Sequence, residues 1–156
     1  MPFRVLMVCT GNTCRSPLAE GILKALVPAD APAIRVSSAG TAGFGGAPAT
    51  GLARQVARSH EVDISGHRSS ALERRALDEA DLVLAMTGEH EDDVLSLAPD
   101  ARKRTFLLSE FAAGERRDIP DPVGGTLEDY EEVYAMLLGY LRKALARIVA
   151  MAEGRA

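Results

Sequence analysis

The chain has 156 residues, 47% of them hydrophobic, with a net charge of −4 and a sequence pI near 5.4. That apolar content suffices for one domain over residues 1–156 with its own core, and the acidic balance argues against a nucleic-acid partner, which demands a basic face. Two cysteines are too few for a disulfide framework; neither a signal peptide nor a bilayer-spanning run is legible, so the expectation is a soluble, cytoplasmic protein without a membrane partner.

The first element sets up the rest. Val5-Leu6-Met7-Val8 is an apolar, largely β-branched run of the kind a strand buried on both faces requires. It leads into Cys9-Thr10-Gly11-Asn12-Thr13-Cys14-Arg15-Ser16-Pro17. Ser16 and Pro17 read as a helix opening, with serine at the cap and proline at the first helical position. A loop between a strand and a helix turns successive backbone N–H groups toward one point, ahead of a helix N-terminus that favours anions. Cys9 sits at the floor of that cradle, and Arg15 can fork onto two oxygens of a phosphate. Arrays of this kind lower a thiol's pKa from its free value of about 8.5. Full ionisation gains only roughly thirtyfold over an ordinary thiol at pH 7, so donors aimed at the phosphoryl group should supply the larger share of catalysis. The competing reading is a buried structural cysteine in an ordinary strand-to-helix turn.

Downstream, Leu18, Ile22, Leu23 and Leu26 repeat at helical spacing over 17–27 until Pro28 and Pro32 break the run. Residues 34–40 form a second strand, followed by the glycine-rich stretch 40–46 with Phe44, which either stacks on a substrate or folds onto the body. A helix is expected over 48–59. The polar segment 62–70 carries His67, and a mixed helix covers 72–80. Residues 81–87 give a central strand, and 88–97 an acidic helix whose Glu89, Glu91, Asp92 and Asp93 read as a solvated face. His90 takes the same solvated reading, with no metal-ligand spacing around it. A fourth strand covers 103–108, and a short helix or turn 109–114. After a long loop, Thr126 caps the longest helix. Its buried stripe is Leu127, Tyr130, Tyr134, Leu137, Leu141, Leu145 and Ile148, with acids early and Arg142, Lys143 and Arg147 late.

A departing ester oxygen or nitrogen needs a proton, so a carboxylic acid is expected near Cys9. Asp118 and Asp121 both lie in the loop before the last helix, and Asp121 stands between two prolines that stiffen its backbone.

Cys9-Thr-Gly-Asn-Thr-Cys-Arg-Ser16-Pro-Leu-Ala-Glu20, with Asp118-Ile-Pro-Asp121-Pro122 far downstream, resembles the low-molecular-weight protein tyrosine phosphatases over nearly the whole chain. The resemblance implies an α/β fold of three layers: a doubly wound, four-stranded parallel sheet with helices on both faces and the phosphate-binding loop after strand 1. It implies a cysteinyl-phosphate mechanism without metal or cofactor, a phosphorylated protein as substrate, and a monomer or weak dimer. Cys9, Arg15 and Asp121 take the catalytic roles. Thr10, Gly11, Asn12, Thr13, Cys14, Arg15 and Ser16 bind phosphate or another oxyanion, and Asn12, Ser16, Ser38 and His67 form a bracing network. Asn12 is expected in a left-handed conformation with Ser38 and His67 as its partners. Oxidised Cys9 is expected to be captured by Cys14.

One departure bears on the substrate. Val123-Gly124-Gly125 stands where tyrosine-specific members commonly carry aromatics, and Thr13 where they carry an aliphatic residue. Both features resemble the bacterial protein-arginine phosphatase branch. An arsenate reductase would need cysteines beyond Cys14, and a phosphocarrier would lack Arg15 and Asp121.

Overall fold

In the computed structural model, which describes residues 1–155, the chain runs β1 (Phe3–Cys9), α1 (Arg15–Leu26), β2 (Ile34–Gly40), α2 (Gly51–Ser59), α3 (Arg74–Glu79), β3 (Leu82–Ala85), α4 (Gly88–Leu97), β4 (Thr105–Leu107), α5 (Leu108–Ala113) and α6 (Leu127–Arg155). The four strands form one parallel sheet in the order β2-β1-β3-β4. Strand β1 is central, paired in register from Phe3–Ile34 to Cys9–Gly40 on one side and from Val5–Leu82 to Val8–Ala85 on the other. Order 2-1-3-4 places the sheet's reversal point beside the carboxyl end of β1, where open α/β sheets bind ligands.

Alternation along β1 divides the core into two layers. Val5, Met7 and Cys9 face the cluster built with α1, α2, α5 and α6, whereas Leu6 and Val8 face Leu77, Ala80, Val94, Ala98 and Ala101 from the α3–α4 side. Helices therefore cover both faces, as the apolar strand requires. No helix among the described residues is long and apolar enough to cross a membrane.

The elements depart from expectation at their ends. Helix α1 begins at Arg15 with Cys14 at its cap, so Ser16 is one residue inside it and its hydroxyl is released for other work. Helix α2 starts three residues late, because the Thr50 side chain accepts the Ala53 N–H and fixes the start there. Residues Pro99–Arg104 wind as a 3₁₀ turn and shorten β4 to three residues. Thr126 does open α6, exchanging bonds with Asp129 (2.9 and 3.3 Å). Leu127 is exposed, and the buried stripe of α6 instead takes in Val133, Tyr140 and Ala144.

Candidate active site

The loop from Cys9 to Arg15 is held from outside by its carbonyls. Cys9 O accepts the Thr41 N–H (2.8 Å), Thr10 O that of Ala42 (2.9 Å), and Thr13 O that of Thr50 (2.9 Å). Asn12 O accepts from His67 Nε2 at 2.7 Å. With these four carbonyls drawn outward, the N–H groups of Gly11 to Cys14 find no acceptor within the protein among the described residues. That is the arrangement of an anion nest. Gly40 lets β2 approach this closely, since a Cβ there would strike the Thr10 carbonyl oxygen.

Asn12 makes the turn possible. It is fully buried at φ 57°, a left-handed conformation asparagine tolerates. Its Oδ1 accepts the Ser70 N–H and its Nδ2 donates to Ser16 Oγ, each at 2.8 Å. The Ser70 N–H fixes which end of the amide is oxygen, so the nitrogen faces Ser16. Ser16 Oγ, already accepting from Asn12, lies 2.9 Å from Cys9 Sγ and directs its own hydrogen to the sulfur.

The bracing network differs from expectation in one member. His67 meets the Asn12 backbone, but Ser38 donates its hydroxyl to Glu20 Oε1 (2.6 Å) and not to Asn12. The Ser70 backbone takes the position expected of Ser38, because β2 runs past the loop with Ser38 turned toward α1.

Arg15 is 5% exposed. Its Nη1 donates to Ile119 O (3.1 Å), its Nη2 donates to Thr10 Oγ1 (3.3 Å) and lies 3.5 Å from Asp121 Oδ2, and its Nε is buried without a partner among the described residues. An orphaned guanidinium N–H in a buried site is a donor held ready for an anion. The two candidate acids separate clearly. Asp118 Oδ1 accepts the Gly88 N–H at the start of α4, whereas Asp121 reaches Arg15 and accepts only the Val123 N–H from its own turn (3.1 Å). Cys9, Thr10, Gly11, Thr13, Cys14, Arg15, Asp121 and Val123 line one cavity of about 250 Å³.

The profile of the family described as low molecular weight phosphotyrosine protein phosphatase matches residues 4–153. The chain belongs to that family. A protein-arginine-phosphatase of Geobacillus stearothermophilus is 42% identical over 83% of this chain and 85% of its own. The low molecular weight protein-tyrosine-phosphatase Etp of Escherichia coli K12 is 38% identical over 85% and 86%. Among solved structures, the YwlE arginine phosphatase of G. stearothermophilus superposes with a TM-score of 0.89 at 35% identity, covering 99% of this chain and 98% of that one.

Three features of this phosphatase were not legible in its sequence. Cys14 and Cys9 are both free and buried, and Cys14 Sγ lies 3.4 Å from Tyr130 OH and 3.6 Å from Thr50 Oγ1. Burial and the Cys14 contact push the Tyr130 hydroxyl up to about 12, so it stays a donor at all ordinary pH. His90, read as part of a solvated helix, is 4% exposed and its Nε2 lies 2.7 Å from Thr10 Oγ1. Phe44, by contrast, stands 84% exposed and outside the cavity lining.

Proposed function

We propose that this phosphatase hydrolyses phosphoarginine on proteins, through a phosphocysteine at Cys9. The observation that carries the chemistry is the loop itself: carbonyls tied outward, N–H groups left free, and a buried, unpartnered Arg15 Nε beside them. In this reading Cys9 attacks phosphorus and forms an S–P bond as the N–P bond breaks. Asp121 gives its proton to the departing guanidine nitrogen, then takes one from the water that cleaves the S–P bond. Arg15 and the loop N–H groups hold the equatorial oxygens, where charge develops. Cys14 would capture an oxidised Cys9, which requires it to leave Tyr130 and Thr50.

Thr13 supports the choice of phosphoarginine. Thr13 lines the cavity, and among the described residues its hydroxyl has one partner, Cys14 Sγ at 3.9 Å, the outer limit for sulfur, so it has bonding capacity to spare. A guanidinium donor needs such an acceptor, where an aliphatic side chain would leave it unpaired. The name of the 42%-identical relative points the same way. Val123-Gly124-Gly125 adds less, because that turn has its own demand for glycine. Gly125 N–H bonds Pro122 O, Gly124 sits at φ 80°, and a Cβ on Gly125 would meet the Asp129 carboxylate.

The test is a side-by-side rate comparison on phosphoarginine and phosphotyrosine peptides, with wild type and Thr13→Ile. The expected result is a wild-type preference for phosphoarginine that falls by about ten- to a hundredfold in the variant, as one hydrogen bond to a charged group is worth about 1.5–3 kcal/mol. Parallel losses on both substrates, or a wild type that prefers phosphotyrosine, would assign the chain to tyrosine substrates, like the 38%-identical Etp.

A further inference from the structure

His90 is buried against the phosphate loop, on a helix that the chemistry described so far does not use. Three contacts fix its placement. Thr87 Oγ1 accepts the His90 N–H at the α4 cap (3.2 Å), Asp118 accepts the next free N–H of that helix start, from Gly88 (2.9 Å), and Arg116 pairs with Glu91 (2.8 Å) one residue beyond. Helix α4 is thereby tied to the loop that carries Asp121, while its His90 ring reaches the other side of the site at Thr10.

The direction of the His90–Thr10 bond follows from what surrounds it. His90 Nδ1 is buried with no partner among the described residues. If Nδ1 carried the hydrogen, a buried N–H would be orphaned, which is costlier and rarer than an orphaned lone pair. The hydrogen therefore belongs on Nε2, and His90 donates to Thr10 Oγ1. Arg15 Nη2 donates to the same oxygen. A hydroxyl has two lone pairs and one hydrogen. With both lone pairs taken, the Thr10 hydroxyl has only its hydrogen left to give, and Thr10 lines the cavity beside Cys9.

We propose that His90 is a positioning residue of the phosphatase: its Nε2–H and Arg15 Nη2–H together occupy Thr10 Oγ1, which aims the Thr10 O–H at a phosphoryl oxygen and braces the Arg15 guanidinium. This rests on the reading of the loop as the phosphoryl site and adds Thr10 to its donors. The ring remains uncharged at neutral pH. Burial and the facing Arg15 guanidinium draw its pKa down to about 4, against the opposing pull of Asp93, Asp118 and Asp121.

The experiment uses the full-length protein, with p-nitrophenyl phosphate as substrate and vanadate as a mimic of the transferring phosphoryl group. His90→Leu and Thr10→Val should each lower kcat about tenfold and weaken vanadate inhibition by a similar factor, with KM moving less than threefold. The double variant should be no worse than either single one, because both remove the same device. His90→Gln, which keeps a side-chain N–H, should recover to within about threefold of wild type. Nitrogen-15 NMR of the His90 ring should show an uncharged imidazole with hydrogen on Nε2. Multiplying losses in the double variant, a folded His90→Gln as impaired as His90→Leu, unchanged kinetics in His90→Leu, or hydrogen on Nδ1 would each overturn the proposal. Those results would leave the phosphatase reading standing. Turnover that survives Cys9→Ser would bring both down.

Discussion

Ser16→Ala separates two accounts of one residue. As a helix cap, Ser16 would matter only to stability, and its loss would cost about 0.5–2 kcal/mol. The structure gives it a different role: Cys14 holds the cap position, and Ser16 Oγ stands between Asn12 Nδ2 (2.8 Å) and Cys9 Sγ (2.9 Å). Alanine is a good helix former inside the first turn, so α1 itself should not suffer. Two losses are expected instead. The thiolate loses a hydrogen bond worth about 1.5–3 kcal/mol, which lowers kcat/KM on p-nitrophenyl phosphate by about ten- to a hundredfold. Asn12 Nδ2 becomes a buried donor without a partner, at about 1–3 kcal/mol, which lowers the melting temperature by roughly 3–10 °C. Both readouts come from one preparation, by steady-state kinetics and by thermal denaturation. A lower melting temperature with an unchanged kcat/KM would refute the argument and return Ser16 to a structural role.

Asp121→Asn should reduce turnover most on substrates with basic leaving groups and least on p-nitrophenyl phosphate, whose phenolate departs with little help. Asp118→Asn should weaken the α4 start without that pattern, and the reverse pairing would exchange the two assignments. The depressed pKa of His90 makes stability acid-sensitive. Its contribution is complete above pH 6.5, the ordinary histidine value, and is lost as pH falls through about 4. Across that window wild type should lose up to about 3 kcal/mol more than His90→Gln, read as melting temperature against pH; equal slopes would contradict it. Peroxide-inactivated enzyme should recover with dithiothreitol, and Cys14→Ser should recover much less; equal recovery would make Cys14 structural.

The strands and the phosphate loop were legible because their signals are local. A β-branched run, a Cys-x5-Arg spacing and a capping Thr126 each declare themselves within a few residues. The contacts that tie the phosphate loop to the rest of the protein join residues 32 to 116 positions apart, and no periodicity encodes them. His90 lies on a helix rich in acids, and only its place above Thr10, 80 residues earlier, distinguishes it from its solvated neighbours. Ser38 was misplaced for the same reason. A strand's alternation says which face a serine occupies, but the packing of α1 decides that Glu20 is its partner. Ser16 before Pro17 carries the ordinary sequence mark of a helix cap, and the demand of Cys9 and Asn12 for its hydroxyl overrode that mark.

The central claim, that Cys9 carries the phosphoryl group, is tested most directly by acid-quenching a turning-over sample and locating the adduct by mass spectrometry. The account predicts one phosphoryl group, on the peptide containing Cys9, absent in Cys9→Ala and more abundant in Asp121→Asn with p-nitrophenyl phosphate, where the first step is spared and hydrolysis of the S–P bond is slowed. An adduct on any other side chain, or turnover without one in a variant that should accumulate it, would contradict it.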